Sequence, residues 1–296
     1  MIKRIFILIF IFYSTSIFSQ QLSFTVISSK DHMPVPYATI QLLNRQGAVI
    51  ASEKGEFSFQ FISTDSIEIS SVGYRKLRVP VKELKKVIEL SPQIGKMKPV
   101  KVYSKESSIR ILLGSQRKSS KQDEVWGAGM KVEFAQRIEL PDTSNEYHLR
   151  KLIIPVESNN CFSPFLIHIY LYDSLTDLPG EELFMTKVEM SKQLYKRGRA
   201  VIDIADENII LRGGAPFFLG FSWPPEINGS DRCLTGLKMV SDTVEQTYER
   251  SLYSKGYNFR LFTDDKPLIS NSKNSVGIHR KLKTFFSVEA DAFKVE

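Results

Sequence analysis

The chain has 296 residues, 42% of them hydrophobic and 25% charged, with a formal net charge of +7. That composition excludes a disordered chain, and the length suffices for two ordinary hydrophobic cores. The positive excess is mild and scattered, so nucleic acid is not an expected partner.

The first twenty residues read as an address. Met1-Ile2-Lys3-Arg4 is a short basic start, Ile5 to Tyr13 is unbroken apolar sequence, and Ser14 to Gln20 is a polar, small-residue exit. This is the pattern of a secretory signal peptide over residues 1–20, cleaved after Ser19 or Gln20. The alternative is an N-terminal membrane anchor, but the apolar run is short for a span of about 20 residues. No Cys follows the run, so a lipid anchor has no attachment atom. The expectation is an exported protein in the periplasm or at the cell surface, with no transmembrane anchor after cleavage. Subtracting Lys3 and Arg4 from +7 leaves the mature chain at about +5.

The content of 20 Phe and 11 Tyr against two Trp favours strands over helices. Ala38, Ile40 and Leu42 alternate on one face of a strand, and the turn at Glu53-Lys54-Gly55 needs the positive φ that Gly55 accepts. Phe57, Phe59 and Phe61 share a face, and Ile67 and Ile69 repeat the pattern before Val72-Gly73-Tyr74. Leu77, Val79 and Val81 alternate, Lys82 to Lys86 suggests a helical turn, and Val87 to Leu90 is a short strand. Val100 to Tyr103 completes the set as an edge strand.

Three of these motifs carry a resemblance. Pro36-Tyr37-Ala38-Thr39-Ile40, Gly55-Glu56-Phe57-Ser58-Phe59 and Ile69-Ser70-Ser71-Val72-Gly73-Tyr74 resemble the carboxypeptidase regulatory-like domain. The resemblance covers roughly residues 21–103 and implies a transthyretin-like sandwich of the kind that opens exported and outer-membrane proteins of Bacteroidetes-type bacteria. It departs at Phe24-Thr25-Val26-Ile27, where the family often has a Gly. In receptors that carry this domain a plug and a membrane barrel follow. Residues 126–296 are too few for such a barrel.

Residues 104–125 are rich in Ser, Lys and Gln, with one apolar island at Ile109 to Leu113, and read as a linker whose island docks on a neighbour. A second strand pattern runs over 126–296. It includes Met130 to Phe134, Tyr147 to Ile153 ending at Pro155, Phe165 to Tyr172, Ala200 to Ile204, Ile209 to Leu211 and Phe217 to Trp223. Asp177 to Leu183 reads as a turn re-entering structure. Strands of this length and spacing suggest a sandwich or jelly roll. The Ile-Tyr strand, Leu-Pro-Gly-Glu turn and Phe-Phe-Leu-Gly-Phe strand resemble a jelly-roll region that follows carboxypeptidase regulatory-like domains in exported bacterial proteins. The expected fold is thus all-β, a transthyretin-like sandwich followed by a jelly-roll-like β-sandwich.

The sequence holds little that points to catalysis. His32, His148, His168 and His279 each stand alone, without a His-Glu-x-x-His motif or a Glu three residues on. His168, on a strand, reads as a packed or edge residue rather than a metal ligand. Ser222 has Gly at only one of the two flanking positions that a nucleophile elbow requires. Asp203, Asp206 and Glu207 form one acidic cluster, which reads as solvated turn residues before a glycosidase pair or a calcium site. Lys192, Lys196, Arg197 and Arg199 read as a solvated basic face. No metal or cofactor is expected.

Two features remain. Cys161 and Cys233 are either bridged or two packed thiols, and the sequence leaves both open. Trp223, beside Pro224-Pro225, with Tyr253 and Tyr257, is a candidate platform for stacking a sugar, against the plainer reading that Trp223 is core. The functional expectation is a non-catalytic binding protein of the cell envelope, its partner an envelope or outer-membrane protein. The alternative is a carbohydrate-binding or glycan-processing protein acting through the second sandwich.

Overall fold

A computed structural model of the chain describes residues 22–43, 48–59, 65–93, 108–116, 118, 124–126, 132–158, 162–227, 235–240, 246–251, 260–261, 284 and 286–294. Apart from two 3-10 turns, the secondary structure among these residues is all β. The first seven strands are β1 (Leu22–Ser28), β2 (Thr39–Leu42), β3 (Ala48–Ile50), β4 (Glu56–Phe59), β5 (Ser66–Ser70), β6 (Leu77–Pro80) and β7 (Val87–Leu90). They form a three-stranded sheet, β4-β1-β7, and a four-stranded sheet, β3-β2-β5-β6. All pairings are antiparallel except β1 with β7.

The alternation in the sequence explains this pair of sheets. Phe24, Val26, Phe57, Ile88 and Leu90 from one sheet meet Ile40, Leu42, Ile67 and Ile69 from the other in a single buried cluster. Gly55 has φ +72°, and a Cβ there would lie 2.4 Å from the Val26 carbonyl oxygen, so the turn into β4 admits no side chain. The helical turn expected at 82–86 is a 3-10 turn at Val81–Glu83. The edge strand expected at 100–103 lies outside the described residues.

The remaining strands are β8 (Ser108–Gly114), β9 (Glu124–Trp126), β10 (Val132–Ile138), β11 (Asn145–Ser158), β12 (Phe165–Asp173), β13 (Leu178–Val188), β14 (Arg199–Asp203), β15 (Ile210–Arg212), β16 (Phe217–Ser222), β17 (Thr235–Met239), β18 (Thr247–Ser251), β19 (Arg260–Leu261) and β20 (Ser287–Lys294). A six-stranded sheet runs β13-β12-β16-β10-β18-β19. A seven-stranded sheet runs β8-β20-β11-β17-β9, with β14 and β15 also paired to β11. Their inner faces close on a second core that includes Phe134, Phe165, Phe217, Phe221, Trp223, Ile154 and Val288.

Three expectations change here. Residues 108–114, expected in a linker, form the edge strand β8, with Leu113 buried in the second core. The island does dock, and it does so by strand pairing to β20. Leu178-Pro179-Gly180, expected as a turn, opens strand β13, while the turn itself falls at residues 174–177. Finally, β11 does not end at Pro155. It pairs with β20 as far as Ile153 and with β17 from Val156. Pro155 has no N–H to give, and it sits where the strand changes partners.

Candidate binding cleft

The outer face of the six-stranded sheet carries an unusual load of polar side chains. Along β12, Phe165, Ile167 and Ile169 point into the core, which turns Leu166, His168 and Tyr170 outward. Neighbouring strands place Ser222 and Gly220 of β16, Glu133 of β10 and Arg250 of β18 on the same outer face. A register shift between β12 and β13 brings Glu182 opposite Tyr170.

These residues form two connected hydrogen-bond chains. His168 Nδ1 lies 2.6 Å from Glu182 Oε1, and its Nε2 lies 2.9 Å from Ser222 Oγ. The Tyr170 hydroxyl donates to Glu133 Oε1 at 2.6 Å. Arg250 donates to Glu133 Oε2 through Nε at 3.0 Å and Nη2 at 2.7 Å, and Nη2 also reaches the Tyr170 oxygen. The His168 and Tyr170 rings stack at 5.8 Å and join the two chains. Gly220 leaves room for the junction, since a Cβ there would come 3.0 Å from both Glu133 Oε1 and His168 Cβ.

Burial sets the charge states. Glu133 is fully buried, which opposes its charged form, yet Arg250 and His168 outweigh the burial and hold its pKa below the usual carboxylate value. For His168, burial again works against charge, but the carboxylates of Glu133 and Glu182 raise its pKa above the ordinary value. Burial, together with the Glu133 and Glu182 carboxylates, keeps the Tyr170 phenol neutral. Such a network is costly to bury unless every member is satisfied, and here each has partners.

Serine, histidine and glutamate in this order have the contacts of a hydrolase triad. Their surroundings differ from one. Ser222 has no solvent exposure. It ends a regular inner strand flanked by β12 and β10, whose backbone N–H groups are engaged in ladders instead of facing an oxyanion. The Glu133 and Glu182 carboxylates also favour the protonated imidazole, which leaves less of it free to take a proton from Ser222.

The first pair of sheets packs on this same face. Tyr37, Ala48 and Ile50 cluster with Leu166, and Met185 packs against them. Leu166 is paired with Ser222 and Met185 with His168, so the dry contact lies directly beside the His168–Ser222 bond. Lys187 Nζ reaches Glu53 Oε2 at 2.8 Å, and the Glu53 N–H donates to Glu226 Oε1 at 2.7 Å. Burial and the Glu226 carboxylate push the Tyr37 phenol up to about 12.

Beyond this contact the two faces diverge and enclose a cleft of about 370 Å³. One wall is the outer face of β2 and β5 with the turn at 71–74. The other is the end of β12, the start of β13 and Arg250. Tyr170, Glu182 and Arg250 line it, Glu182 and Arg250 partly exposed and Tyr170 almost wholly buried.

Of the residues singled out in the sequence, His168 and Ser222 belong to this network and Trp223 does not. Trp223 is 3% exposed, stands edge-on to Phe221 at 5.0 Å and donates from Nε1 to the Thr235 carbonyl at 2.8 Å. It is core, and its ring is not offered to a sugar. Tyr253, Tyr257, Cys161, Cys233 and His279 lie outside the described residues, although Ser163 and Thr235, two residues from the cysteines, exchange three hydrogen bonds. Asp203 and Asp206 belong to a turn in which Asp203 accepts from the Ala205 N–H. Among the described residues no group of three or more His, Cys, Asp or Glu is placed to hold a metal ion, and no helix is long and apolar enough to cross a membrane. Of the network residues, His168 and Tyr170 were visible only as members of a strong strand. The signal that marked the site was a polar outward face on a strand whose inward face was already wholly apolar.

No family model and no curated protein matches the sequence. A solved structure described as that of infectious bursal disease virus, Gt strain, aligns at 9% identity with a TM-score of 0.24, covering 92% of this chain and 64% of the viral chain. The chain thus spans less than two thirds of that protein, and a likeness of this degree carries no argument about fold or function.

Proposed function

We propose that the protein is a non-catalytic, exported binding protein of the cell envelope whose ligand occupies the cleft between the two pairs of sheets. The observation that carries this reading is the cleft itself, floored by Tyr170, Arg250 and Glu182 and held rigid from below by Glu133 and His168. Preorganised polar groups at the bottom of a concave site are what binding selects, because little side-chain freedom is lost when a ligand arrives. The signal-peptide pattern of residues 1–20 supports export. The resemblance of residues 21–103 to carboxypeptidase regulatory-like domains, with seven strands in sheets of three and four, supports an envelope role beside other modules.

The non-catalytic part rests on the sealed Ser222 and on the engaged backbone around it. It is tested by treating the mature protein with a fluorophosphonate probe and with peptide and glycoside substrate panels. The expected result is no labelling and no turnover. Labelling that disappears in Ser222→Ala, or glycoside hydrolysis that disappears in Asp203→Asn, would overturn it.

A further inference from the structure

The cleft walls are made mostly from the faces of inner strands, with the start of the edge strand β13 at one side. β2 and β5 lie between β3 and β6, β12 lies between β13 and β16, and β18 lies between β10 and β19. Their backbone groups are therefore spent on neighbouring strands, and most of the lining offers a ligand side chains rather than main chain. From the first pair of sheets these include Thr39, Gln41 and Ser70, all outward-facing because Ile40, Leu42, Ile67 and Ile69 face the core.

Apart from the exposed Glu181 carboxylate, the charges that line the cleft are compensated from within the protein. Arg250 is held by Glu133 at 2.7 Å, Glu182 by His168 at 2.6 Å, and Glu68 by Arg78 at 2.6 Å and Lys76 at 3.5 Å. Asp173 accepts from the Leu175 N–H and the Thr176 hydroxyl within its own turn. An anionic ligand would have to displace one of these pairs and would meet the Glu181 carboxylate as well, while a cation would find that single solvent-exposed carboxylate and gain little net attraction. A peptide chain bound in extended form needs a regular open strand edge for its own N–H and C=O groups; the edge that these walls do carry, the start of β13, includes Pro179, which has no N–H, and is broken by register shifts in its pairing with β12. An apolar ligand would desolvate carboxylates, amides and hydroxyls without replacing their hydrogen bonds.

We propose that the cleft binds a neutral, polyhydroxylated ligand, a short stretch of uncharged glycan, gripped from both sides at once. This rests on the binding reading above and names its ligand class. Sugar hydroxyls both donate and accept, so they suit a lining of amide, hydroxyl and already paired carboxylate groups. The volume lies at the lower end of small-ligand sites, which run from about 300 to 1,000 Å³. Tyr74, half-buried on the same wall, adds an aromatic ring.

The test is calorimetric titration of the full mature chain with three panels: neutral hexose and N-acetylhexosamine di- and trisaccharides, uronic-acid oligosaccharides, and tetrapeptides. Neutral sugars are expected to bind. Gln41→Leu and Ser70→Ala should each weaken that binding by about tenfold, the scale of one lost hydrogen bond. Both side chains face outward, so unchanged melting of these variants checks the fold. Peptide binding without sugar binding would overturn the glycan and leave the binding reading intact. Tighter binding of uronic acids would overturn the neutral class. Neutral-sugar binding indifferent to both substitutions would overturn the cleft as its site. Silence across all three panels would overturn both this inference and the binding reading.

Discussion

Glu133 is the residue on which the outer face depends, because it ties Arg250 and Tyr170 together from a fully buried position. Glu133→Ala strands a largely buried guanidinium, and the expected cost is about 3–5 kcal/mol in urea denaturation. His168 makes the network sensitive to pH. Its pKa is raised on folding, so its contribution is fully present below the unfolded value of about 6.5 and is lost as pH rises through the folded value. Glu133 has the opposite sign, contributing above about 4.5 and losing its contribution as pH falls through its depressed folded value. The stability difference between wild type and His168→Gln should therefore shrink from pH 6 to pH 9, and a difference that grows would contradict the assigned charge. Trp223 belongs to a different account. Its ring fills the second core, so Trp223→Ala should lower stability by about 3–5 kcal/mol in the same assay. A change near zero would return the ring to the surface.

The strands differ in how plainly the sequence announces them, and the difference follows burial. β12 and β16 are inner strands with strong alternation or continuous apolar sequence, and both stand where expected. β8 is an edge strand. Ile109 is 71% exposed and only Leu113 of the strand is buried, so its pattern faded into the polar sequence around it. Leu113→Ala is the direct check, with an expected loss of about 2–5 kcal/mol against almost none for a residue in a linker. In β11 the apolar positions change parity, from Tyr147 and Leu149 to Leu152, Ile154 and Val156. The register shift between Leu149 and Lys151 is the cause. β13 was hidden because Pro179 and Gly180 are turn-forming residues that here lie along an outer strand, where a missing N–H costs little.

At the scale of the molecule, the cleft could not be read from the sequence because no segment contains it. Its walls come from residues 39–93 and 170–250, and each residue alone resembles an ordinary strand or surface position. The packing of Tyr37, Ala48 and Ile50 on Leu166, with the Lys187–Glu53 and Glu53–Glu226 contacts beside it, sets the two faces opposite one another. That arrangement is the central claim, and amide chemical-shift mapping of the labelled protein titrated with the neutral oligosaccharide panel tests it most directly. The account predicts simultaneous shifts on both walls, at Gln41, Ser70 and Tyr74 and at Tyr170, Glu182 and Arg250. Shifts confined to one pair of sheets, or centred on residues far from these, would contradict it.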